Sequence, residues 1–281
     1  MKLLVNKTDY DETIQLAKDI NQKYDKTVTF HCYWNGILNE KHLHSIKSCK
    51  YFNDKHRIIL WLENNIPNQF NEEISKYTEI KYFSFIDEKK GILDDYNRFY
   101  EKSTVTFYSD VVRSLLLYNY GGCWFDLDIF FLRSFDPIFF NYEDEICVYQ
   151  WEIQNHPNNA IYISLKPKSL KMKRNIEFIK NRNRGFGFNE AQLTYDLPLD
   201  MLVLPCSWFN GDWITNPYNI GTERFFEYTD KKYDFSNFFN GSFCYHWHNK
   251  WDKEIQDNSI IYQLNSIINY KNLFQKEKTI I

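Results

Sequence analysis

No stretch of the sequence approaches the roughly 18 uninterrupted apolar residues of a membrane-spanning helix, so no transmembrane span is expected. The opening MKLLVNKTDYDETIQ turns acidic early and lacks the apolar core of a secretion signal. None of the cysteines (Cys32, Cys49, Cys123, Cys147, Cys206 and Cys244) forms a CxxC pair. A chain of 281 residues needs no disulfide framework, so they read as small buried residues in a reducing compartment. The expected location is cytoplasmic. Basic excess is also missing: Lys+Arg 34 stand against Asp+Glu 37, for a formal net charge of -3. That argues against nucleic acid as a partner. Internal repeats, low-complexity tracts and long Pro/Gly/Ser linkers are absent too, which favours a single domain over residues 1–281.

What the sequence does have is aromatic content, at 19% of residues. Tyr, Phe, Asn, Lys and Ile are abundant together, which points first to compositional bias and second to faces for stacking carbohydrate. Apolar periodicity predicts a helix around Asp9 to Gln22 and a buried strand from Val28 to Trp34, ended by Asn35-Gly36. A helix over Glu40 to Cys49, a strand over Arg57 to Leu62 and a weaker strand over Ile80 to Phe85 follow. This alternation predicts an α/β fold with a mostly parallel sheet and helices on both faces. Further on, strands are expected at Glu145 to Trp151, Ala160 to Ser164 and Met201 to Leu204. Helices are expected at Asn189 to Leu197 and at the C-terminus around Leu264, Ile267 and Ile268.

The most informative segment is SDVVRSLLLYNYGGCWFDLDIF, residues 109–130. Val111, Val112, Leu115, Leu116 and Leu117 form an apolar stripe at helical spacing. Ser109 or Asp110 suits the start of that helix and a glycine its end. Cys123-Trp124-Phe125 reads as a strand leading into Asp126-Leu127-Asp128, and Asp136-Pro137 later breaks the pattern. On a strand, Asp126 and Asp128 point the same way, with Leu127 turned to the core. Open α/β folds bind ligands where strands leave the sheet. Two carboxylates crowded beside apolar chain repel each other, and a hard divalent cation relieves this while keeping room for phosphate oxygens. Asp-x-Asp triplets are common in solvated loops; the glycine turn and apolar flanks distinguish this one. Asp110 and Arg113 share a helix face, as a surface ion pair or as a means of gripping sugar and phosphate oxygens.

Taken whole, this string resembles the "sugar-binding region containing DXD motif" of a broad glycosyltransferase group. The group includes fungal initiating mannosyltransferases, α-1,4-galactosyltransferases and, more remotely, clostridial glucosylating toxins. Asp110, Arg113, Leu117-Tyr118, Tyr120-Gly121-Gly122, Asp126 and Asp128 all fit its pattern. FHCYWNGILNEKHLHSIKSC resembles the family's opening strand and helix, and HWHNKW its C-terminal His-x-x-x-Ser-Trp motif, with Lys250 in place of the serine. The middle of the chain is only loosely similar, with Gly187-Phe188 where relatives often have Gly-Pro.

The resemblance implies a GT-A fold and a retaining, metal-dependent transfer from a nucleotide-sugar donor to a glycan or other hydroxyl acceptor. UDP-sugars are favoured, with GDP-mannose the other donor. It implies a nucleotide-sugar-binding part at 28–140, an acceptor and metal-completing part at 141–251 and a terminal helix at 252–281. The expected catalytic residues are Asp126, Asp128, Asp110 and Arg113. Donor contacts fall to Tyr33, Trp34, Asp110, Arg113, Asp126, Lys250 and Trp251, with Trp34 on the base and Lys250 meeting phosphate by charge. Mn²⁺ or Mg²⁺ is expected on Asp126, Asp128 and His246, with His248 the substitute. Trp208, Trp213 and Tyr218 read as core before acceptor platforms, and Arg182 and Arg184 as isolated surface charges. Three rivals remain: a non-catalytic binder on the same fold, a glycoside hydrolase and a nucleotidyltransferase. Adjacent carboxylates on one strand are poorly placed for hydrolysis, which needs them on either side of the scissile bond. No Gly-rich loop follows the first strand to support nucleotidyl transfer.

Overall fold

The computed structural model of the chain describes residues 2–3, 10–64, 66–95, 105–150, 157–181, 199–213 and 220–278. The expected helix at Asn189 to Leu197, together with Tyr218, Arg182, Arg184 and Gly187-Phe188, lies outside them.

The apolar runs build one eight-stranded sheet. Its strands are β1 (Lys2–Leu3), β2 (Thr29–Trp34), β3 (Arg57–Leu62), β4 (Glu79–Tyr82), β5 (Gly122–Phe125), β7 (Ile146–Gln150), β8 (Pro157–Ser164) and β9 (Leu202–Leu204). Their order is β1-β9-β7-β8-β5-β2-β3-β4. Every pairing is parallel except those of β8, which runs antiparallel to both β5 and β7. Strand alternation feeds two cores. Phe30, Cys32, Ile58, Leu60 and Leu62 face one, which includes Leu43 and Ile46 of helix α2 (Glu40–Phe52). Tyr33, Ile59, Trp61 and Trp124 face the other, against helix α5 (Val105–Tyr120). Helices α1 (Tyr10–Asp19), α3 (Gln69–Ser75) and α4 (Phe85–Glu88) complete the N-terminal half. A small antiparallel ribbon, β6 (Ile129–Phe131) with β10 (Cys244–His246), sets His246 opposite Ile129. Helix α6 (Asp136–Asn141) starts at Asp136-Pro137, where proline fits a first helical turn rather than merely breaking the chain. Helices α7 (Leu170–Asn181) and α8 (Ile260–Lys278) follow. Among the described residues no helix is long and apolar enough to cross a membrane. The six cysteines are buried and unpaired.

Two sequence expectations need correction. Helix α5 begins at Val105, so Ser109 and Asp110 lie inside it and cap nothing. Ser109 instead accepts from Arg113 one turn on, through its carbonyl at 3.3 Å and its hydroxyl at 3.1 Å. The acidic pair is also not on a strand. β5 stops at Phe125, and Asp126–Asp128 form a turn closed by the Ile129 amide donating to the Asp126 carbonyl at 3.1 Å.

Gly121 and Gly122 place that turn. Gly121 ends α5 with φ +65. Gly122 has φ +112, and a side chain there would run into the Thr29 carbonyl of β2. Helix and strand therefore approach closely only because both residues are glycine. His31 ties the same corner. It is fully buried, accepts the Trp61 indole N–H on Nδ1 at 3.1 Å and donates from Nε2 to the Gly121 carbonyl at 3.0 Å.

Burial draws the His31 pKa down to about 4, against the opposing pull of its bond to Gly121. The unfolded chain takes this proton near pH 6.5, so stability is complete above that pH and falls as pH drops towards 4. Lowering the pH from about 6.5 to 5 costs about 2 kcal/mol through His31 alone. Urea unfolding of the wild type and His31→Gln at both pH values checks this. The variant is less stable near neutrality and loses that share of the pH dependence; an unchanged dependence contradicts the assignment.

Candidate active site

The acidic turn divides two environments. On one side, Asp126 receives the Trp124 indole N–H at 2.7 Å and faces the Arg113 guanidinium at 3.2 Å. Arg113 is buried and lies 5.0 Å from the centre of the Trp124 ring. It donates to both the carbonyl and the side-chain oxygen of Asn159, each at 2.7 Å. Asn159 in turn donates to Asp110 at 2.9 Å, and Asp110 sits 3.4 Å from Arg113 Nε. The Asp110–Arg113 pair is therefore neither a surface pair nor two free ligands. Asp110 is buried and orients Arg113, which presents its outer face to Asp126. Burial pushes Asp126 up to about 6; Arg113 opposes this and the negative charge of Asp128 adds to it. Burial likewise pushes Asp110 up, against Arg113 and Asn159.

On the other side, Asp128 is almost enclosed, with 4% of its side chain exposed against 27% for Asp126. His246 Nε2 donates to Asp128 at 3.0 Å, and the Asn249 amide donates to the same oxygen at 2.8 Å. With Nε2 carrying the proton, His246 Nδ1 accepts from the Tyr149 hydroxyl at 2.9 Å. Burial raises the Asp128 pKa, but the imidazole and the amide outweigh it and hold this carboxyl below its usual range. The two acids thus differ: Asp128 is enclosed by its hydrogen bonds, whereas Asp126 shares the single charge of Arg113 with Asp110 and is partly exposed.

Both acids line a cavity of about 290 Å³ with Arg113. The same cavity is lined by Trp34 of β2 and Trp251, ring centres 4.9 Å apart. Tyr33 also lines it, its hydroxyl donating to Glu63 at 2.8 Å. Lys250 does not line it; its ammonium pairs with Glu223 at 3.0 Å. His248 is bonded to Asn210 and stacked on Trp213, ring centres 3.8 Å apart. Trp208 is core, its indole donating to the Thr13 carbonyl at 2.8 Å.

Among the described residues no three His, Cys, Asp or Glu side chains converge as a cation shell. The expected set of Asp126, Asp128 and His246 is not assembled as three free ligands, because His246 Nε2 is already bonded to Asp128. The corner nevertheless fits a hard cation. Asp126 is an under-compensated carboxylate open to the cavity, beside a second one, and such ions take few protein carboxylates and keep places for phosphate oxygens. Sequence reasoning missed Asn159, Tyr149 and Asn249. Tyr149 lies on an expected strand and Asn159 just before another, with nothing local to mark either; Asn249 stood inside the HWHNKW string without a role.

Residues 18–145 match the family model described as "Glycosyltransferase sugar-binding region containing DXD motif". No curated protein matches the chain. Among solved structures, the chain is similar to one titled "PaToxG Glycosyltransferase", at 14% identity over 65% of this chain and 73% of that one, with a TM-score of 0.42. It is similar to the glycosyltransferase GlyE of Streptococcus pneumoniae TIGR4 at 13% identity, over 71% of this chain and 48% of that one, with a TM-score of 0.44. The chain therefore spans about half the length of GlyE.

Removing Asn159 tests the buried network. Asn159→Ala strips Arg113 of its acceptor and Asp110 of a donor, and is expected to cost about 2 kcal/mol in chemical unfolding. A loss within experimental error of zero contradicts the role given to Asn159.

Proposed function

We propose that this chain, a glycosyltransferase carrying the DXD-containing sugar-binding region at residues 18–145, takes its sugar from a nucleotide diphosphate donor seated between the acidic turn and the Trp34–Trp251 wall. The observation that carries this reading is the cavity itself, in which Asp126, paired with Arg113 yet 27% exposed, shares a lining with Asp128, Trp34 and Trp251. A nucleotide sugar has matching parts: a flat base for the indoles, a diphosphate for a cation at the acidic pair, and hydroxyls for polar side chains.

In this reading Asp126 and Asp128 hold Mn²⁺ or Mg²⁺, with His246 beside them. A bound divalent cation supplies neutralisation of the charge that develops on the leaving diphosphate. Arg113, fixed by Asp110 and Asn159, faces the same developing charge without reorganising, which is the arrangement that lowers a barrier. Trp34 and Trp251 take the base, and UDP-sugars are the favoured donors. The acceptor is a glycan or other hydroxyl compound. Retention of configuration follows the family resemblance, and no catalytic base is assigned.

The test is nucleotide release from a panel of UDP- and GDP-sugars with Mn²⁺ or Mg²⁺. Release is expected with at least one donor and is lost on chelation. Asp126→Asn is expected to lower turnover by about 100-fold or more. Its melting temperature should hold or rise, because the fold keeps this carboxyl above its usual range and so disfavours its charged form. Asp128→Asn is the less clean probe, since Asp128 also holds His246 and Asn249. Nucleotide binding with no release from any donor would favour the non-catalytic binder instead.

A further inference from the structure

The cavity wall formed by Asn249 and Trp251 belongs to an irregular loop, residues 247–251. Two successive residues in it, His248 and Asn249, have φ of 52 and 55, a conformation that disfavours residues with side chains. Such a loop holds its shape only if its surroundings impose it. Asp128 does so from below: its carbonyl accepts the Trp247 amide at 3.1 Å and its carboxylate the Asn249 amide at 2.8 Å.

A second set of restraints comes from the first turn of α2. The Lys41 ammonium donates to the Lys250 carbonyl and lies 4.1 Å from the Phe226 ring centre and 5.4 Å from that of Trp247. Lys41 is only 5% exposed and forms no ion pair with a described carboxylate. Burying an ammonium is costly, and burial draws its pKa down to about 8 against the opposing pull of Asp252. The next residue, His42, stacks on Trp251 with ring centres 4.4 Å apart and planes 20° apart, and meets Trp34 at 4.2 Å. Its Nδ1 accepts the Asn39 amide at 2.9 Å as part of the helix cap. Its Nε2 is buried and unpartnered among the described residues. Helix capping alone does not explain a histidine here, because a glutamate or glutamine at this position caps equally well and orphans no N–H. Contact with Trp251 does explain it.

We propose that Lys41 and His42 are positioning residues: the first turn of α2 latches the loop at 247–251, holds Trp251 against Trp34 and so sets donor affinity. This rests on reading the cavity as the donor site. The latch itself is a mechanical claim that stands or falls separately. Lys41→Met keeps the packed stem and deletes the ammonium. His42→Ala deletes the ring, and His42→Phe restores a ring without the orphan N–H.

Two measurements decide it on the full chain: amide hydrogen exchange at 247–251, and calorimetric binding of UDP with Mn²⁺. Lys41→Met and His42→Ala are expected to speed exchange in that loop and weaken UDP by about tenfold, a change of about 1.4 kcal/mol. Exchange in the β2–β3 core should stay unchanged, and His42→Phe should return both readouts towards wild type. Unchanged loop exchange in both deletion variants overturns the latch, as does His42→Phe behaving like His42→Ala. If UDP and GDP both fail to bind the wild type, the donor reading falls, and loop exchange alone still decides the latch.

Discussion

The candidate site depends on Asp128 as a junction before it depends on it as a ligand. Its carboxylate takes N–H groups from residues 118 and 121 positions further along the chain, and its carbonyl takes the amide between them. These bonds bring the β10 strand and the loop after it onto the acidic turn. Trp251, which meets Trp34, follows two residues after the Asn249 amide that Asp128 accepts. A buried carboxylate is expensive unless hydrogen-bonded, and here the bonds that stabilise it are those that close the site. This explains why two aspartates one residue apart have pKa values displaced in opposite directions. Asp128 is occupied with the protein's own structure, whereas Asp126 shares the one charge of Arg113 with Asp110 and stays partly open to the cavity.

Much of this was legible in the sequence, for a physical reason. The α5 stripe, the paired glycines, the apolar β5 run and the acidic triplet are contiguous, and their constraints are local: helical period, positive φ and strand alternation. The Asn159, Tyr149 and His42 roles are not local. Each is set by a contact across the sheet or between elements, and none carries a pattern of its own. The errors have the same origin. Placing Asp126 and Asp128 on a strand extrapolated the β5 alternation beyond Phe125, where the turn had already begun. Reading Ser109 or Asp110 as a helix cap relied on capping preference, whereas Arg113 uses Ser109 from inside the helix.

The histidines show how one residue type divides its work here. His31 is a neutral structural tie between β2, β3 and the glycine turn. His246 sets the electrostatics of Asp128 while Tyr149 fixes its tautomer. His42 offers a face to Trp251, and His248 stacks between Trp213 and His246. Their burial keeps His31, His42 and His248 neutral near pH 7, so they act through shape and hydrogen bonding, not charge.

One strand orientation has a wider bearing. Among the described strands of the eight-stranded sheet, β8 alone runs against its neighbours, and Asn159 stands near its beginning, not its end. In a purely parallel sheet, every strand reaches the ligand-binding edge as the chain departs, so only the connections that follow strands can shape that edge. A reversed strand arrives there instead. It lends the edge a segment of chain on the way in, and the Arg113 network is anchored to that arrival. Through Arg113, a segment entering the sheet at Asn159 is tied to one leaving it at Asp126, so the two sides of this rim are fixed together.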